Sequence, residues 1–258
     1  MEHEQNNLIK EQFGREAEKY INPQVHSNPI DLEFILGFIQ PQQSWNVLDI
    51  ATGGGNVAIT LGPKVTQIFA TDLTEQMLDQ VKKQMTEKNI SNIETKVEDV
   101  HELSFSDESF DLVTVRLAPH HFYDIQKALQ EMVRVTKKGG LVFIQDTIVP
   151  SDTEAGTFFN KIEKMRDPSH VRALSAEEWT KRLQNAGLKI IKHDTKEKVW
   201  PFLWWTGRMS TPQPVVDEII TLINDNRFRY RDSINIELDE KEIFLIKPLN
   251  GYFLSQKQ

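Results

Sequence analysis

A run of three glycines, Gly53-Gly54-Gly55, separates a short apolar segment from a segment with helical character, and this feature constrains the fold most. The apolar segment covers residues 47–50, and the helical one starts at Asn56. Glycine permits a tight turn and lets the backbone approach a ligand closely. In doubly wound sheets, ligands bind beside such strand–turn–helix units, where the strand order reverses. The turn therefore predicts an α/β fold with a ligand crevice at one sheet edge.

Apolar segments continue to alternate with helical patterns as far as residue 149. We expect Lys137 and Lys138 in the last turn of the helix that starts near Ile125, and Gly139-Gly140 at its end. Regular alternation of strands and helices predicts a parallel sheet that is covered on both faces. The predicted strands after the first one cover residues 67–72, 93–100, 110–118 and 141–149.

The second half of the chain is less regular, but it contains enough apolar segments to complete the sheet. We expect residues 188–199 and 242–246 to be its last strands, which gives a doubly wound, mostly parallel sheet of seven strands. Residues 154–172 and 200–226 should form a helical cap over the strand ends. The expected organisation is a helical lid in residues 1–40, a ligand-binding core in residues 41–150, and the remaining strands with the substrate cap in residues 151–258 of the same domain.

Composition excludes several classes of function. The 258 residues include no cysteine, so disulfides, thiolate metal sites, iron–sulfur clusters and cysteine nucleophiles are ruled out. The formal net charge of −8 at pH 7 argues against nucleic-acid binding. No apolar run approaches the roughly 18–20 residues of a membrane span, and the first ten residues lack the pattern of a signal peptide. We therefore expect a cytoplasmic protein that does not insert into membranes.

Two ligand classes fit the glycine turn and the acids near it. The spacing Gly53-x-Gly55-x-x-Ala58, followed by Asp72, is typical of a dinucleotide site. The same pattern fits a nucleoside that carries an amino acid in place of a pyrophosphate. Asp49 separates the two interpretations, because a carboxylate beside the turn repels a pyrophosphate and attracts an ammonium group.

A third acid, Asp99, follows the third predicted strand, where it could accept a hydrogen bond from an adenine amine. Asp49 stands four residues before Gly53, and Asp72 and Asp99 follow at the ends of the next two strands. In this pattern the chain resembles the class I S-adenosylmethionine-dependent methyltransferases. This resemblance extends over residues 45–146. Three further segments resemble a narrower group, the bacterial small-molecule methyltransferases of the ubiquinone/menaquinone type: residues 13–20, 118–122 and 166–172.

The resemblance implies S-adenosylmethionine as the cofactor and assigns roles to residues of the core. Asp49 and Gly53 should line its methionine end, and Asp72 should hold both ribose hydroxyls. Three residues should face or hold the adenine: Leu73, Asp99 and Val100. Four more should lie beside the cofactor: Ala51, Gly55, Met77 and Arg116.

The acceptor side is less well specified. Methyl transfer from a sulfonium needs alignment, and it needs a general base only where the attacking atom carries a proton of high pKa. His120 and His121 are the candidate catalytic residues, and Asp146 ends a strand at the same sheet edge. The candidate substrate-binding residues are Tyr20, His26, Arg166, His170 and Arg172. The aromatic residues that could wall an apolar pocket are Phe158, Phe159, Trp200, Trp204 and Trp205.

These features predict an S-adenosylmethionine-dependent methyltransferase that uses no metal. Its acceptor should be a small apolar or aromatic metabolite, methylated at carbon or oxygen. Two alternatives stay open, namely an NAD(P)-dependent oxidoreductase on a dinucleotide fold and a non-catalytic S-adenosylmethionine-binding module. A tRNA or protein acceptor and a homodimeric assembly also stay open.

Overall fold

The computed structural model describes residues 2–16, 29–230, 236–238 and 244–258. Within these residues, no helix is both long and apolar enough to cross a membrane. The helices are α1 (Glu2–Glu16), α2 (Pro29–Ile39), α3 (Asn56–Leu61), α4 (Glu75–Glu87), α5 (Ile125–Val135), α6 (Thr153–Arg166), α7 (Ala176–Asn185), α8 (Phe202–Gly207) and α9 (Gln213–Tyr230). The strands are β1 (Asn46–Ile50), β2 (Gln67–Asp72), β3 (Ile93–Val97), β4 (Phe110–Arg116), β5 (Thr136–Val149), β6 (Leu174–Ser175), β7 (Leu188–Glu197), β8 (Trp200–Pro201), β9 (Ile236–Leu238), β10 (Phe244–Ile246) and β11 (Leu249–Lys257).

The main sheet runs through seven strands in the order β3-β2-β1-β4-β5-β11-β7, and the two-residue strand β6 pairs with β5 beside this path. Strands β1 to β5 pair in parallel, whereas β11 is antiparallel to both β5 and β7. The strand order reverses between β1 and β4, so a crevice forms at the carboxyl ends of these strands. The predicted doubly wound, mostly parallel sheet is confirmed.

Two local predictions about secondary structure are wrong. Residues 244–246 belong to a separate antiparallel sheet, β8-β10-β9, and the strand that completes the main sheet is β11. Helix α5 ends at Val135, and Lys137 and Lys138 lie in β5. Thr136 is extended, and its hydroxyl donates to the Met132 carbonyl at 2.6 Å, which ends the helix before the glycines.

Apolar side chains alternate between the two faces of the main sheet. Leu48 and Val113 pack with α5 and α7 on one face, whereas Val47 and Leu112 pack with α2 and α3 on the other. A third apolar cluster joins α6, α8 and α9 around Val149, near the carboxyl end of β5. The helices expected to form a cap therefore lie beside the crevice edge of the sheet.

Candidate functional site

The glycine turn leaves the carboxyl end of β1 with three residues in the left-handed backbone region. These are Ala51 (φ 49°), Gly53 (φ 54°) and Gly55 (φ 84°). A Cβ atom at Gly53 would have no neighbouring heavy atom within 4 Å, whereas one at Gly55 would lie 2.9 Å from Cγ2 of Val81. The turn therefore has open space at Gly53. Gly55 packs against Val81 of α4, and its predicted position beside a ligand stays a prediction.

Asp72, at the end of β2, connects this strand to the glycine turn. Its Oδ2 accepts from the Gly53 amide at 2.9 Å, and its Oδ1 accepts from the Thr74 amide at 3.0 Å. Burial raises the pKa of Asp72, and the hydrogen bonds from these two amides offset only part of that effect. The structure thus places the Asp72 carboxylate beside the glycine turn. Its buried negative charge costs free energy unless a ligand donates hydrogen bonds to it.

Asp49 lies deeper, near the end of β1, and is 1% exposed. The Thr114 hydroxyl donates to its Oδ1 and the Thr52 hydroxyl donates to its Oδ2, both at 2.6 Å. Burial raises the pKa of Asp49 to about 6 despite these hydrogen bonds. A positively charged group beside this carboxylate would favour its ionised form.

Asp99 follows β3 and is held by helix α1 and by the next loop. Its Oδ2 accepts from Nδ2 of Asn6 at 2.8 Å, and its Oδ1 lies 2.6 Å from Nδ1 of His101. Burial opposes ionisation of Asp99, but the hydrogen bonds from His101 and Asn6 outweigh it and lower its pKa to about 2. Asp99 is therefore a permanent anion in the neutral pH range.

These acids lie around one cavity of about 920 Å³, a volume that includes its open mouth. Helix α1 contributes Asn6, Ile9 and Phe13 to its wall, and none of the three was predicted as a site residue. Ile9 and Phe13 are four residues apart, and this spacing indicates one apolar helix face that packs against the rest of the protein. Nine of the ten predicted cofactor residues also line the cavity: Asp49, Ala51, Gly53, Asp72, Leu73, Met77, Asp99, Val100 and Arg116.

A second cavity, of about 800 Å³, adjoins the first. Four residues line both cavities and form the junction between them: Phe13, Arg116, Leu117 and His121. Residues 200–208 contribute Trp200, Trp205 and Arg208 to the second cavity, and α6 contributes Glu163 and Arg166. The structure therefore has a cavity rich in carboxylates at the glycine turn, connected to a second cavity with more cationic side chains.

His120 lines the second cavity and forms a pair with Asp146. The distance from His120 Nδ1 to Asp146 Oδ1 is 2.5 Å, and the two side chains are 13% and 1% exposed. Burial alone would lower the pKa of His120, but the charge and hydrogen bond of Asp146 outweigh burial and raise it. This pair has the arrangement of an imidazole base that is oriented by a carboxylate.

His121 and His170 lie beside His120 but have different environments. His121 Nδ1 is 3.1 Å from both the carbonyl oxygen and the hydroxyl of Ser169, and its ring packs edge-on against Phe13. His170 Nε2 donates to Oδ1 of Asn160 at 2.8 Å. Burial, together with the charge of His120, lowers the pKa of both His121 and His170. Both rings are therefore neutral at neutral pH, and His121 lies at the junction of the cavities.

Several predicted acceptor residues lie elsewhere. His170 is 2% exposed and does not line either cavity, so the structure gives it a role in the protein interior. Arg172 pairs with Glu178 at 2.5 Å on the surface, with 53% of its side chain exposed, because the chain turns outward after His170. Phe158 and Phe159 pack inside the cap cluster and do not wall the second cavity. Tyr20 and His26 lie outside the described residues.

Comparison with known proteins extends this picture over nearly the whole chain. A sequence profile described as a methyltransferase domain matches residues 48–144. The chain is 31% identical over 230 residues to the uncharacterized methyltransferase YcgJ of Bacillus subtilis (strain 168). This alignment covers 88% of this chain and 90% of that protein. It is 32% identical over 147 residues to the ubiquinone/menaquinone biosynthesis C-methyltransferase UbiE of Zymomonas mobilis. This alignment covers 55% of this chain and 61% of that protein.

Solved structures show the same architecture. A crystal structure from Bacillus halodurans C-125, described as a candidate methyltransferase, matches with a TM-score of 0.85 at 30% identity, over 88% of this chain and 98% of that one. The crystal structure of Bacillus YcgJ matches with a TM-score of 0.82 at 29% identity, over 88% and 97% of the two chains. The predicted fold and the predicted resemblance are thus confirmed.

Proposed function

This chain belongs to the methyltransferase family that includes YcgJ, and from this premise we propose that it transfers a methyl group from S-adenosylmethionine to a small-molecule acceptor. One observation carries the proposal, namely that the carboxylates of Asp49, Asp72 and Asp99 line a single cavity beside the glycine turn. Three carboxylates suit a ligand with hydroxyl donors, an amine and a positive charge, and they oppose a pyrophosphate. The oxidoreductase alternative is therefore not favoured.

The polar groups of this cavity match the donors of S-adenosylmethionine. Asn6 Oδ1 is buried and has no hydrogen-bond partner among the described residues, while Nδ2 of the same side chain donates to Asp99. A buried acceptor without a donor costs free energy, and an adenine amine would supply that donor. Asp72 would hold the ribose hydroxyls, and Asp49 would face the charged amino-acid end. The residues present therefore fit this cofactor.

The junction between the cavities is where an acceptor would meet the methyl group. When bound, S-adenosylmethionine supplies a methyl group that is activated by its positively charged sulfur. The chain then has to align the acceptor and exclude water, which together can contribute about 7–11 kcal/mol. Phe13 and Leu117 supply apolar surface at this junction, and His121 packs against Phe13.

His120 is the residue that we propose as the general base. Asp146 Oδ1 accepts a hydrogen bond from Nδ1–H of His120, so Nε2 of the neutral imidazole is the atom that can take a proton from the acceptor. A base contributes where the attacking oxygen or carbon carries a proton, and such catalysis is worth about 10²–10⁴-fold. We therefore propose methylation at oxygen or carbon.

Calorimetry tests the choice of cofactor. S-adenosylhomocysteine should bind to the purified protein, and NAD should give no measurable heat, because the carboxylates repel its pyrophosphate. Binding of NAD in preference to S-adenosylhomocysteine would contradict the proposal. Cofactor binding without methylated product across a broad panel of acceptors would instead favour a non-catalytic binding module.

An NMR titration tests the base. In the wild-type protein, we expect the Cε1–H resonance of His120 to titrate at a higher pH than an ordinary histidine, because Asp146 stabilises the protonated ring. Asp146→Asn removes this charge while burial remains, so the midpoint of the titration should fall. His120→Gln identifies the resonance by its loss. An unchanged midpoint in Asp146→Asn would show that Asp146 does not tune His120.

A further inference from the structure

One side chain of the second cavity carries a buried polar atom that has no partner. Asn250 of β11 lines this cavity and is 4% exposed. Its Oδ1 is enclosed and accepts no hydrogen bond from any described residue. Buried polar groups in folded proteins are almost always hydrogen-bonded, because an unmade hydrogen bond costs free energy. Since Asn250 lines the cavity, a ligand there is a group that could supply the missing donor.

Thr147 lies next to Asn250 on the neighbouring strand. The two residues are directly opposite each other where β5 pairs with β11, so their side chains lie on the same face of the sheet. Thr147 is partly buried and also lines the second cavity. Its hydroxyl forms no hydrogen bond with another described residue. Asn250 and Thr147 thus form a polar pair, the Asn250–Thr147 pair, that faces the second cavity.

The preceding polar pair on the same face of these strands is satisfied within the protein. Gln145 lies opposite Tyr252, and its Nε2 donates to the Tyr252 hydroxyl at 3.3 Å. Gln145 Oε1 accepts from Nε of Arg116 at 2.8 Å. The polar pair farther from the carboxyl end of β5 is therefore hydrogen-bonded, whereas the Asn250–Thr147 pair, nearer that end, is not.

His120 reaches the second cavity from the other side of β5. It pairs with Asp146, whose side chain points to the sheet face opposite to that of Thr147, because successive residues of a strand alternate between faces. Both His120 and the Asn250–Thr147 pair line the cavity. An acceptor that fills the cavity can thus present one group to Nε2 of His120 and a different group to the Asn250–Thr147 pair.

Aromatic surface is available for the body of such an acceptor. Trp200 and Trp205 line the second cavity. Trp204 is not among its lining residues, but it stacks on Trp200 with ring centroids 4.6 Å apart and so supports that wall. Large rings of this kind bury an apolar or aromatic group favourably.

We propose that the methyl acceptor carries a neutral hydrogen-bond donor, a hydroxyl or an amide N–H, apart from the atom that is methylated, and that this group binds to Asn250 and Thr147. A carboxamide oxygen can only accept, so an ether or an ionised carboxylate would leave Asn250 Oδ1 without a donor. An ammonium group would lose hydration and gain no counter-charge from two neutral side chains. Asn250 is thus a specificity-determining residue. This inference rests on the proposed function and refines its substrate class.

One phenol with five different substituents tests this preference. 3-Hydroxybenzyl alcohol and 3-hydroxybenzamide carry a neutral donor, whereas 3-(methoxymethyl)phenol, 3-hydroxybenzoate and 3-hydroxybenzylamine carry an ether, an anion and a cation. Binding is measured by ligand-observed NMR with saturating S-adenosylhomocysteine. We expect the alcohol, the amide or both to bind, and the other three to bind at least about tenfold more weakly. An ether, anion or cation that binds as tightly as the better neutral donor, or a set in which nothing binds, would overturn the proposal.

Two variants locate the contact. Asn250→Leu should weaken binding of the preferred neutral donor by about tenfold and leave binding of the ether unchanged, because the ether makes no bond to Oδ1. Thr147→Val removes only the hydroxyl and should weaken the same ligand by about threefold. Thr195→Val, at an exposed position of β7 that lines neither cavity, is the matched control and should have no effect. Unchanged binding of the preferred ligand in Asn250→Leu would overturn the assignment.

Urea denaturation without ligand separates a ligand-binding role of Asn250 from a structural one. Asn250→Leu removes a buried polar group that has no partner, so its unfolding midpoint should lie above that of the wild-type protein. A lower midpoint together with undiminished preference for the neutral donor would show that Asn250 serves the fold. Should Asn250→Leu not fold, Asn250→Ala gives the same ligand comparison.

Affinity for S-adenosylhomocysteine is measured for every variant and should stay unchanged, because Asn250 and Thr147 do not line the first cavity. Wild-type protein that fails to bind S-adenosylhomocysteine refutes the proposed function. Normal affinity for S-adenosylhomocysteine combined with no preference for neutral donors refutes only the role of the Asn250–Thr147 pair.

Discussion

Replacement of Asp72 by asparagine should lower the affinity for S-adenosylhomocysteine by on the order of 100-fold or more. The proposed role of Asp72 is to accept from two ribose hydroxyls, and each hydrogen bond to a charged acceptor is worth about 1.5–3 kcal/mol. An asparagine side chain keeps the shape but offers one acceptor oxygen and no charge. Isothermal titration calorimetry measures the change directly.

The same substitution should have a small effect on stability. The carbonyl oxygen of asparagine can accept from either Gly53 or Thr74, which donate to Asp72 in the wild-type protein. The lost hydrogen bond costs about 1 kcal/mol, and removal of a carboxylate whose ionisation is opposed by burial offsets it. Asp79→Asn, on the exposed face of α4, is the control and should leave both affinity and stability unchanged. Undiminished affinity in folded Asp72→Asn would remove Asp72 from the cofactor site.

The glycine turn and the acids near strand ends were predictable from the sequence because their positions depend on local pattern and on one topological rule. Parallel strands bring their carboxyl ends to the same edge, so Asp49, Asp72 and Asp99 had to lie close together once the strands were recognised. For Gly55 the sequence does not separate a ligand contact from packing, because a glycine in a turn can serve a ligand, a neighbouring side chain or both. The structure adds the packing of Gly55 against Val81.

The acceptor side was predicted less well because its wall is assembled from distant parts of the chain. Phe13, Arg116, Glu163 and Arg208 meet in one cavity, yet no spacing within the sequence relates them. Arg208 in particular has no local motif, whereas His170 was predicted from the charged segment 166–172 and is buried, with a hydrogen bond to Asn160. The final strand was assigned wrongly for the same reason, since pairing of β11 with β5 is a long-range contact that two short apolar segments could equally make.

Asp49→Asn should increase the stability of the protein and weaken its binding of the cofactor. One substitution should thus have opposite effects on stability and on affinity. In the folded protein without ligand, burial raises the pKa of Asp49 from 3.8 to about 6. The unfolded chain therefore ionises at lower pH than the folded one, and the folded state becomes less stable as the pH rises from about 4 to about 6. The difference between the two pKa values corresponds to about 3 kcal/mol above pH 6.

Asparagine removes this penalty because it is neutral at every pH. Its carbonyl oxygen can accept from one of the Thr52 and Thr114 hydroxyls, and the other hydroxyl can rotate to accept from the side-chain amide. We therefore expect a gain of about 1–3 kcal/mol in the free energy of unfolding at pH 7.5, measured by urea denaturation without ligand. The gain should disappear near pH 4, where the wild-type carboxyl is protonated in the folded state.

Cofactor binding should change in the other direction. The carboxylate that destabilises the ligand-free protein is the group that would attract the positively charged amino-acid end, so Asp49→Asn should lower the affinity for S-adenosylhomocysteine by about tenfold or more at pH 7.5. In the wild-type protein, affinity should fall as the pH drops below about 6, because Asp49 becomes protonated. The Asp49→Asn protein should lack this pH dependence. A variant that is less stable than wild type, or that binds S-adenosylhomocysteine with unchanged affinity, would show that Asp49 serves the fold and not the cofactor. Higher stability together with lower affinity is expected only where a buried charge destabilises the protein and binds a ligand.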